Sequence, residues 1–163
     1  MARRTMDAET RAARDDHSAI RLWLRMLATN RLVETRTRRM LQDRYATTLP
    51  RFDLMAQLER MPRGLKMGEL SRRMMVTGGN VTGITDMLED EGLVERVADP
   101  GDRRAWVVQL TPAGRRAFTA MAQEHERWIV ESFAELSGRE MSTMAALLAR
   151  LKTHVRSLEE RDT

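Results

Sequence analysis

The stretch Val76-Thr-Gly-Gly-Asn80-Val-Thr-Gly-Ile-Thr85 gathers short polar side chains and bare backbone in one place. An asparagine amide carries a donor and an acceptor side by side, which matches the adenine edge in a DNA major groove. Threonines can meet base edges, thymine methyls or phosphates. Thr77, Gly79, Asn80, Thr82 and Thr85 are therefore candidate contacts to duplex DNA. Gly83 strengthens the case, because glycine inside a helix costs about 1 kcal/mol relative to alanine and close approach of another surface would account for it. The bland alternative is that these residues only cap and solvate a mediocre helix. Arginine pairs lie on both sides. In Asp99-Pro-Gly-Asp-Arg-Arg104, Arg103 and Arg104 are planar, permanently charged groups suited to a narrow, negative minor groove, with Asp102 placed to fix a rotamer. Taken alone, that tip also reads as a solvated turn whose charges offset one another. Arg72 and Arg73 suit phosphate, or simple exposure.

Catalytic chemistry has no comparable support. His17, His125 and His154 are scattered, with no HExxH or other paired metal-ligand spacing, and neither Gly-x-Ser-x-Gly nor a phosphate-cradling loop occurs. The absence of cysteine excludes a disulfide framework, a thiolate metal site and a cysteine nucleophile. Asp15-Asp16 and Glu89-Asp90-Glu91 read as helix-terminal charges and a solvated face. No enzyme activity, cofactor or metal is expected.

The elements that must position these residues follow from composition and periodicity. The 163 residues suit a single unit, and 42% hydrophobic, 32% charged and 4% aromatic residues describe a helix-rich protein with a solvated surface. The net charge of +4 permits nucleic-acid binding without demanding it. All but Lys66 and Lys152 of the 28 basic residues are arginine. No apolar run approaches the roughly 20 residues that span a bilayer, and the opening Met1-Ala-Arg-Arg-Thr lacks the apolar core of a signal peptide. The expected setting is soluble and cytoplasmic, with no membrane partner.

Residues 1–14 lack apolar periodicity and are expected to form a loose arm or frayed helix start. A long helix over 15–45 carries Ile20, Trp23, Leu24, Leu27, Leu32 and Met40 on more than one face, so it needs a covering partner. Thr47-Thr48-Leu49-Pro50 breaks it. Short helices follow, around Phe52, Met55 and Leu58, from Met67 to Met74, and from Gly78 to Glu91 with Thr77 as N-cap and Gly92 at C′. In the last of these Val81, Ile84 and Leu88 share the buried face, which sends Asn80, Thr82, Thr85 and Asp86 elsewhere. Period-two runs at 93–97 and 105–110 around 99–102 make a hairpin. Thr111-Pro112 opens a further helix, and Ser137 with Glu140 forms a capping box that opens the last one. There Met141, Met144, Leu148, Leu151, Val155 and Leu158 recur at spacings 3, 4, 3, 4, 3, a two-heptad seam. Adjacent short helices followed by a two-stranded ribbon match a winged helix-turn-helix, mainly α with a small β-hairpin. A helical bundle capped by a hairpin is the alternative.

Three segments carry a more specific pattern: Leu70-Ser-Arg-Arg-Met-Met-Val-Thr-Gly-Gly-Asn-Val-Thr-Gly-Ile84, Leu88-Glu-Asp-Glu-Gly-Leu-Val-Glu-Arg96, and Asp99-Pro-Gly-Asp-Arg-Arg-Ala-Trp-Val-Val-Gln-Leu-Thr-Pro-Ala-Gly114. With this spacing the chain resembles the MarR (multiple antibiotic resistance regulator) family over about residues 18–158. The resemblance implies a homodimeric winged-helix repressor whose terminal helices, 15–45 and 112–160, intertwine between two chains. Its DNA-binding lobe would be 50–111, with 78–91 as recognition helix and Asp102 with Arg104 as wing pair. A small ligand would shift its affinity for a double-stranded, pseudo-palindromic operator. Arg21-Leu-Trp-Leu-Arg25, Leu49-Pro-Arg-Phe-Asp-Leu-Met-Ala-Gln-Leu-Glu-Arg60 and the Met74–Asn80 segment are further similar to the branch regulating hydroxycinnamate and related aromatic-acid catabolism, which implies an aromatic acid or aromatic acyl-CoA effector. Trp23 and Trp128 have the rings to stack on such a group, and His17, Arg21 and Arg25 the charge to pair with it. Tryptophans on apolar helical faces also serve as core and arginines as solvated surface, and Met26, Met55, Met74 and Met75 suit either an adaptable pocket or core filling. A winged-helix module for protein–protein contact would keep the fold without the groove chemistry.

Overall fold

The structure is a computed structural model; it describes residues 8–99 and 101–161, with the side chains of 8–16 and 102–105 outside that description. Element order is α1 (Ala8–Tyr45), α2 (Leu49–Glu59), α3 (Met67–Met74), α4 (Gly78–Asp90), β1 (Val94–Asp99), β2 (Asp102–Leu110), α5 (Pro112–Ser132) and α6 (Gly138–Glu159). The chain divides into two compact units, Met1–Gln123 and Glu124–Thr163, and α5 runs from one into the other.

The core of the first unit forms where α2, α3, α4 and the hairpin converge. Leu54, Met55, Leu58, Leu70, Val81, Leu88, Val94 and Val108 are buried there, joined by Leu41 of α1 and Met121 of α5. Phe52 stacks on Phe118 with ring centroids 5.4 Å apart, and the Tyr45 hydroxyl donates to the Ala120 carbonyl at 3.1 Å. The break expected at 47–50 is present, with α1 ending at Tyr45 and α2 starting at Leu49; Pro50 sits in the first turn of α2, where the missing N–H has no intrahelical acceptor to lose. The helical stretch before it is also longer than its apolar pattern, since α1 already begins at Ala8 and spans about 57 Å at 1.5 Å per residue. Of the expected arm, residues 8–14 are thus helical, and 1–7 lie outside the described residues.

β1 and β2 pair antiparallel, with Val94 opposite Leu110 and Val97 opposite Val107, and the register shifts at Ala98/Asp99. Both strands run further toward the tip than their apolar residues do. Leu65 adds an isolated bridge on the other edge of β2: its N–H donates to the Val108 carbonyl and its carbonyl accepts from the Val108 N–H, both at 2.9 Å. That bridge pins the start of α3 to the sheet. At the other end of the hairpin, the Thr111 hydroxyl accepts from the Gly114 N–H at 3.0 Å and donates to the Gly92 carbonyl at 2.7 Å. Gly92 sits at φ +69°, the left-handed C′ position that glycine fills without a Cβ clash. Gly114 allows α5 to cross Leu93 so closely that a Cβ there would lie 1.8 Å from the Leu93 carbonyl oxygen.

In the second unit, α6 starts with the capping box: the Ser137 hydroxyl accepts from the Glu140 N–H at 3.3 Å, while the Glu140 carboxylate accepts from the Ser137 N–H at 2.8 Å. The Ser137 hydroxyl, which donates to the Glu140 carboxylate at 2.6 Å, and after it the Ser137 N–H hold the Glu140 carboxyl below its ordinary pKa. Among the described residues α6 buries none, and Met141, Met144, Leu147, Leu148, Leu151, Val155 and Leu158 are all exposed. Ile20, Leu22, Trp23, Leu24 and Leu32 of α1 are likewise exposed in the first unit. No helix among the described residues is long and apolar enough to cross a membrane.

Candidate nucleic-acid interface

α4 divides cleanly into two faces. Val81, Thr85 and Leu88 are buried, with Ile84 half-buried beside them, while Gly78, Gly79, Asn80, Thr82 and Gly83 are exposed. Thr85 therefore corrects the sequence reading that turned it outward. It lies four residues after Val81, on the core side, and its hydroxyl is satisfied inside the helix by the Val81 carbonyl at 2.8 Å. Thr77 occupies the N-cap with extended backbone, but its side chain makes no capping hydrogen bond and stays exposed. Thr82 donates to the Gly78 carbonyl at 3.1 Å. The Asn80 amide has no partner among the described residues. A Cβ at Gly78, Gly79 or Gly83 would meet nothing within 4 Å, so packing within the chain does not require these glycines. Gly79 and Gly83 are four residues apart and share one smooth face of the helix.

The cations around this face are held to different degrees. Arg72 and Arg73 both pair with Glu69, Arg73 Nε at 2.8 Å from Oε1. The hydrogen bonds from Arg73 and then Arg72 hold the Glu69 carboxyl below its ordinary range. The trio carries one net positive charge, which weakens the two arginines as phosphate contacts compared with a free pair. Lys66 Nζ lies 3.0 Å from Asp99 Oδ2, and Asp99 Oδ1 accepts from the Gly101 N–H at 2.9 Å. The Gly101 bond first, and Lys66 second, depress the Asp99 pKa. The turn end of the wing is thus tied to the start of α3 across a cleft of about 760 Å³ that also touches Arg63, Glu69 and Arg72. Asp102, Arg103 and Arg104 belong to β2 by backbone, and their side chains lie outside the described residues.

One strut was not recognised as such in the sequence. Arg96 of β1 reaches across to Asp86 and Glu89 of α4, and its backbone N–H donates to Glu89 Oε1 at 3.0 Å. The hydrogen bond to Asp86 is the largest cause of its raised pKa. Asp86 and Glu89 stand three residues apart on one helix face, and the pair is the signal that marks Arg96 as a tie between helix and wing.

The residues considered for an effector are divided between the two units. His17, Arg21 and Arg25 follow one another at four-residue spacing along α1, all exposed, and Arg21 Nη2 donates to Ser18 Oγ at 3.3 Å. Trp23 is 59% exposed. Trp128, half-buried, belongs to the second unit. The 760 Å³ cleft and a trough of about 860 Å³ along α6, over Leu147, Leu151 and His154, are lined by other residues. Of the methionines named above, Met55 and Met74 fill core, Met26 is half-buried and Met75 is fully outside.

A MarR-family model matches residues 47–106. A MarR family transcriptional regulator from Silicibacter pomeroyi, of known crystal structure, is 33% identical, covers 86% of this chain and 97% of its own, and superposes with a TM-score of 0.74. The HTH-type transcriptional regulator PecS of Dickeya dadantii is 30% identical over 118 residues, 69% of each chain. The chain belongs to the MarR family. This MarR protein is accordingly a winged-helix, DNA-binding transcriptional regulator rather than an enzyme. The transcriptional activatory protein BadR of Rhodopseudomonas palustris is 26% identical over 98% of this chain and 93% of its own. Several other regulators match over 48% to 60% of their length. Among the described residues no cluster of three metal-ligating side chains occurs.

Proposed function

We propose that this MarR protein is a homodimeric, ligand-responsive repressor. In this reading residues 50–111 form the DNA-binding lobe, which reads a pseudo-palindromic operator through the exposed face of α4 and the wing around Arg103 and Arg104, with Asp102 fixing Arg104. Arg72, Arg73 and Thr77 contact the backbone, and Gly79, Asn80 and Thr82 approach the bases. Residues 15–45 and 112–160 supply the dimer platform. The observation that carries the assembly is α6, a heptad seam from Met141 to Leu158 with no residue buried in its own chain. A second copy of the same seam is its natural cover, since knobs-into-holes packing is self-complementary at this spacing. Trp23, flanked by Arg21 and Arg25 on α1, supports an anionic aromatic effector, an aromatic acid or its CoA thioester, with His17 as a further contact. Such a ligand lowers operator affinity by binding better to the state that does not fit DNA.

Three measurements test this. Sedimentation at micromolar concentration should show only dimer, and Leu151→Arg should aggregate or unfold the chain; a folded monomer refutes the assembly. Anisotropy on a duplex enriched from a random pool should show steep salt dependence, and Arg104→Ala should cost about 1–3 kcal/mol of affinity. Equal binding of enriched and random duplexes would favour a protein-contact module instead. A thermal-shift screen of aromatic acids and their CoA thioesters should find a stabilising ligand that also releases the duplex, and a promoter reporter gives the sign of regulation.

A further inference from the structure

Met75 carries two costs at once. It is the C-cap of α3, at φ +54° and ψ +38°, in the left-handed region that long L side chains rarely adopt. It is also 91% exposed, the most exposed large hydrophobic residue among the described residues. The turn does not need its side chain. The Met75 N–H donates to the Arg72 carbonyl at 3.3 Å, the Val76 N–H to the Ser71 carbonyl at 3.2 Å, and the Ser71 hydroxyl to the Val76 carbonyl at 2.6 Å. Met74 before it is buried and Val76 after it half-buried, so the backbone folds both neighbours inward and turns Met75 alone outward. Glycine would relieve the backbone, and a polar residue would relieve the exposure. Neither stands there. The benefit of a long apolar side chain must lie outside the chain, and Met75 sits two residues before the N-cap of α4, at the end of the helix that presents Gly78, Gly79 and Asn80.

From this position, and resting on the reading of α4 as the groove-binding helix, we infer that Met75 is a base-reading residue whose thioether packs against the 5-methyl group of a thymine in the major groove. The flexible, polarizable side chain adapts to the groove wall, and a thymine methyl is the apolar feature that the major groove displays. Met75 thus adds a preference for thymine beside the contacts made by the polar residues of α4.

The test uses the full-length protein and a duplex enriched by the wild type from a random-sequence pool. Met75→Gly should melt no lower than wild type but bind the enriched duplex about fourfold more weakly, the equivalent of one apolar carbon returned to water. Replacing the thymines one at a time by deoxyuridine, which removes only the methyl, should reveal one position that weakens wild type by the same factor and leaves Met75→Gly unchanged. Met75→Leu should keep the sensitivity to that methyl. Unaltered binding by Met75→Gly, or the absence of a methyl coupled to it, overturns the assignment while leaving α4 as the reading helix. Failure of the wild type to enrich any sequence refutes the reading of α4 itself, and Met75 with it.

Discussion

Gly83→Ala should push stability and DNA affinity in opposite directions. Gly83 lies inside α4, exposed, with room for a Cβ in every direction that the chain itself occupies. Alanine is favoured over glycine in a helix interior by about 0.8–1 kcal/mol, and with no clash to offset that gain the variant should melt about 2–4 °C higher than wild type, the shift that about 1 kcal/mol produces in a domain of this size. The same methyl stands on the face that Gly79 and Gly83 leave smooth. If DNA packs against that face, a wedge of one carbon in a close-packed contact costs about 1–3 kcal/mol, a loss of operator affinity of about five- to 150-fold. Thermal unfolding and fluorescence anisotropy on one preparation give both quantities. A higher melting temperature with unchanged affinity would refute the close-approach argument and leave Gly83 as an unimproved helix position. A lower melting temperature would refute the claim that the surrounding space is free.

The same substitution at Gly114 should behave oppositely, because its Cβ meets the Leu93 carbonyl oxygen at 1.8 Å; Gly114→Ala is expected to lose about 3 kcal/mol or more in a denaturant titration. Arg96→Met, which keeps the stem but frees Asp86 and Glu89, should lose about 1 kcal/mol of stability, since the three side chains are partly solvated, and hydrogen exchange in β1 and β2 should accelerate more than in α2. Acid should destabilise in two steps. Burial lowers the His125 pKa from the ordinary 6.5, so the unfolded chain takes up a proton first and stability falls as pH drops through that value; His125→Gln should flatten this step. The depressed carboxyls of Glu69, Asp99 and Glu140 stabilise above the ordinary carboxylate range, and that contribution disappears as pH falls through their folded values.

What could be read from the sequence was what local chemistry decides. The Ser137–Glu140 box, the Thr111-Pro112 start and Gly92 at C′ each satisfy backbone groups within a few residues, and all three fall where the sequence put them. Thr85 was misplaced because a hydroxyl that bonds its own helix needs no solvent, so a polar residue can occupy a core position that the apolar period skips. The strands outran their apolar runs because ladder hydrogen bonds are made by backbone and continue through Ala98 and Asp99. The Leu65 bridge joins residues distant in sequence, and no local pattern encodes such a meeting. Met75 was legible as a methionine but not as an exposed, left-handed one, since conformation at a helix C-cap depends on how the next helix is held.

The Arg96 strut also bears on the form of the operator. Because one guanidinium holds two carboxylates of α4, those of Asp86 and Glu89, while its own strand leads into the wing, the helix and the hairpin cannot slide past one another without breaking that tie. On the reading proposed above, the protein then behaves as a gauge of fixed span within each half-site. A base pair inserted between the segment under α4 and the segment under the wing displaces one contact set by about 3.4 Å and turns it by about 34° around the duplex. Such an insertion should abolish binding even when every contacted base is retained, whereas exchanging one contacted base should only weaken it.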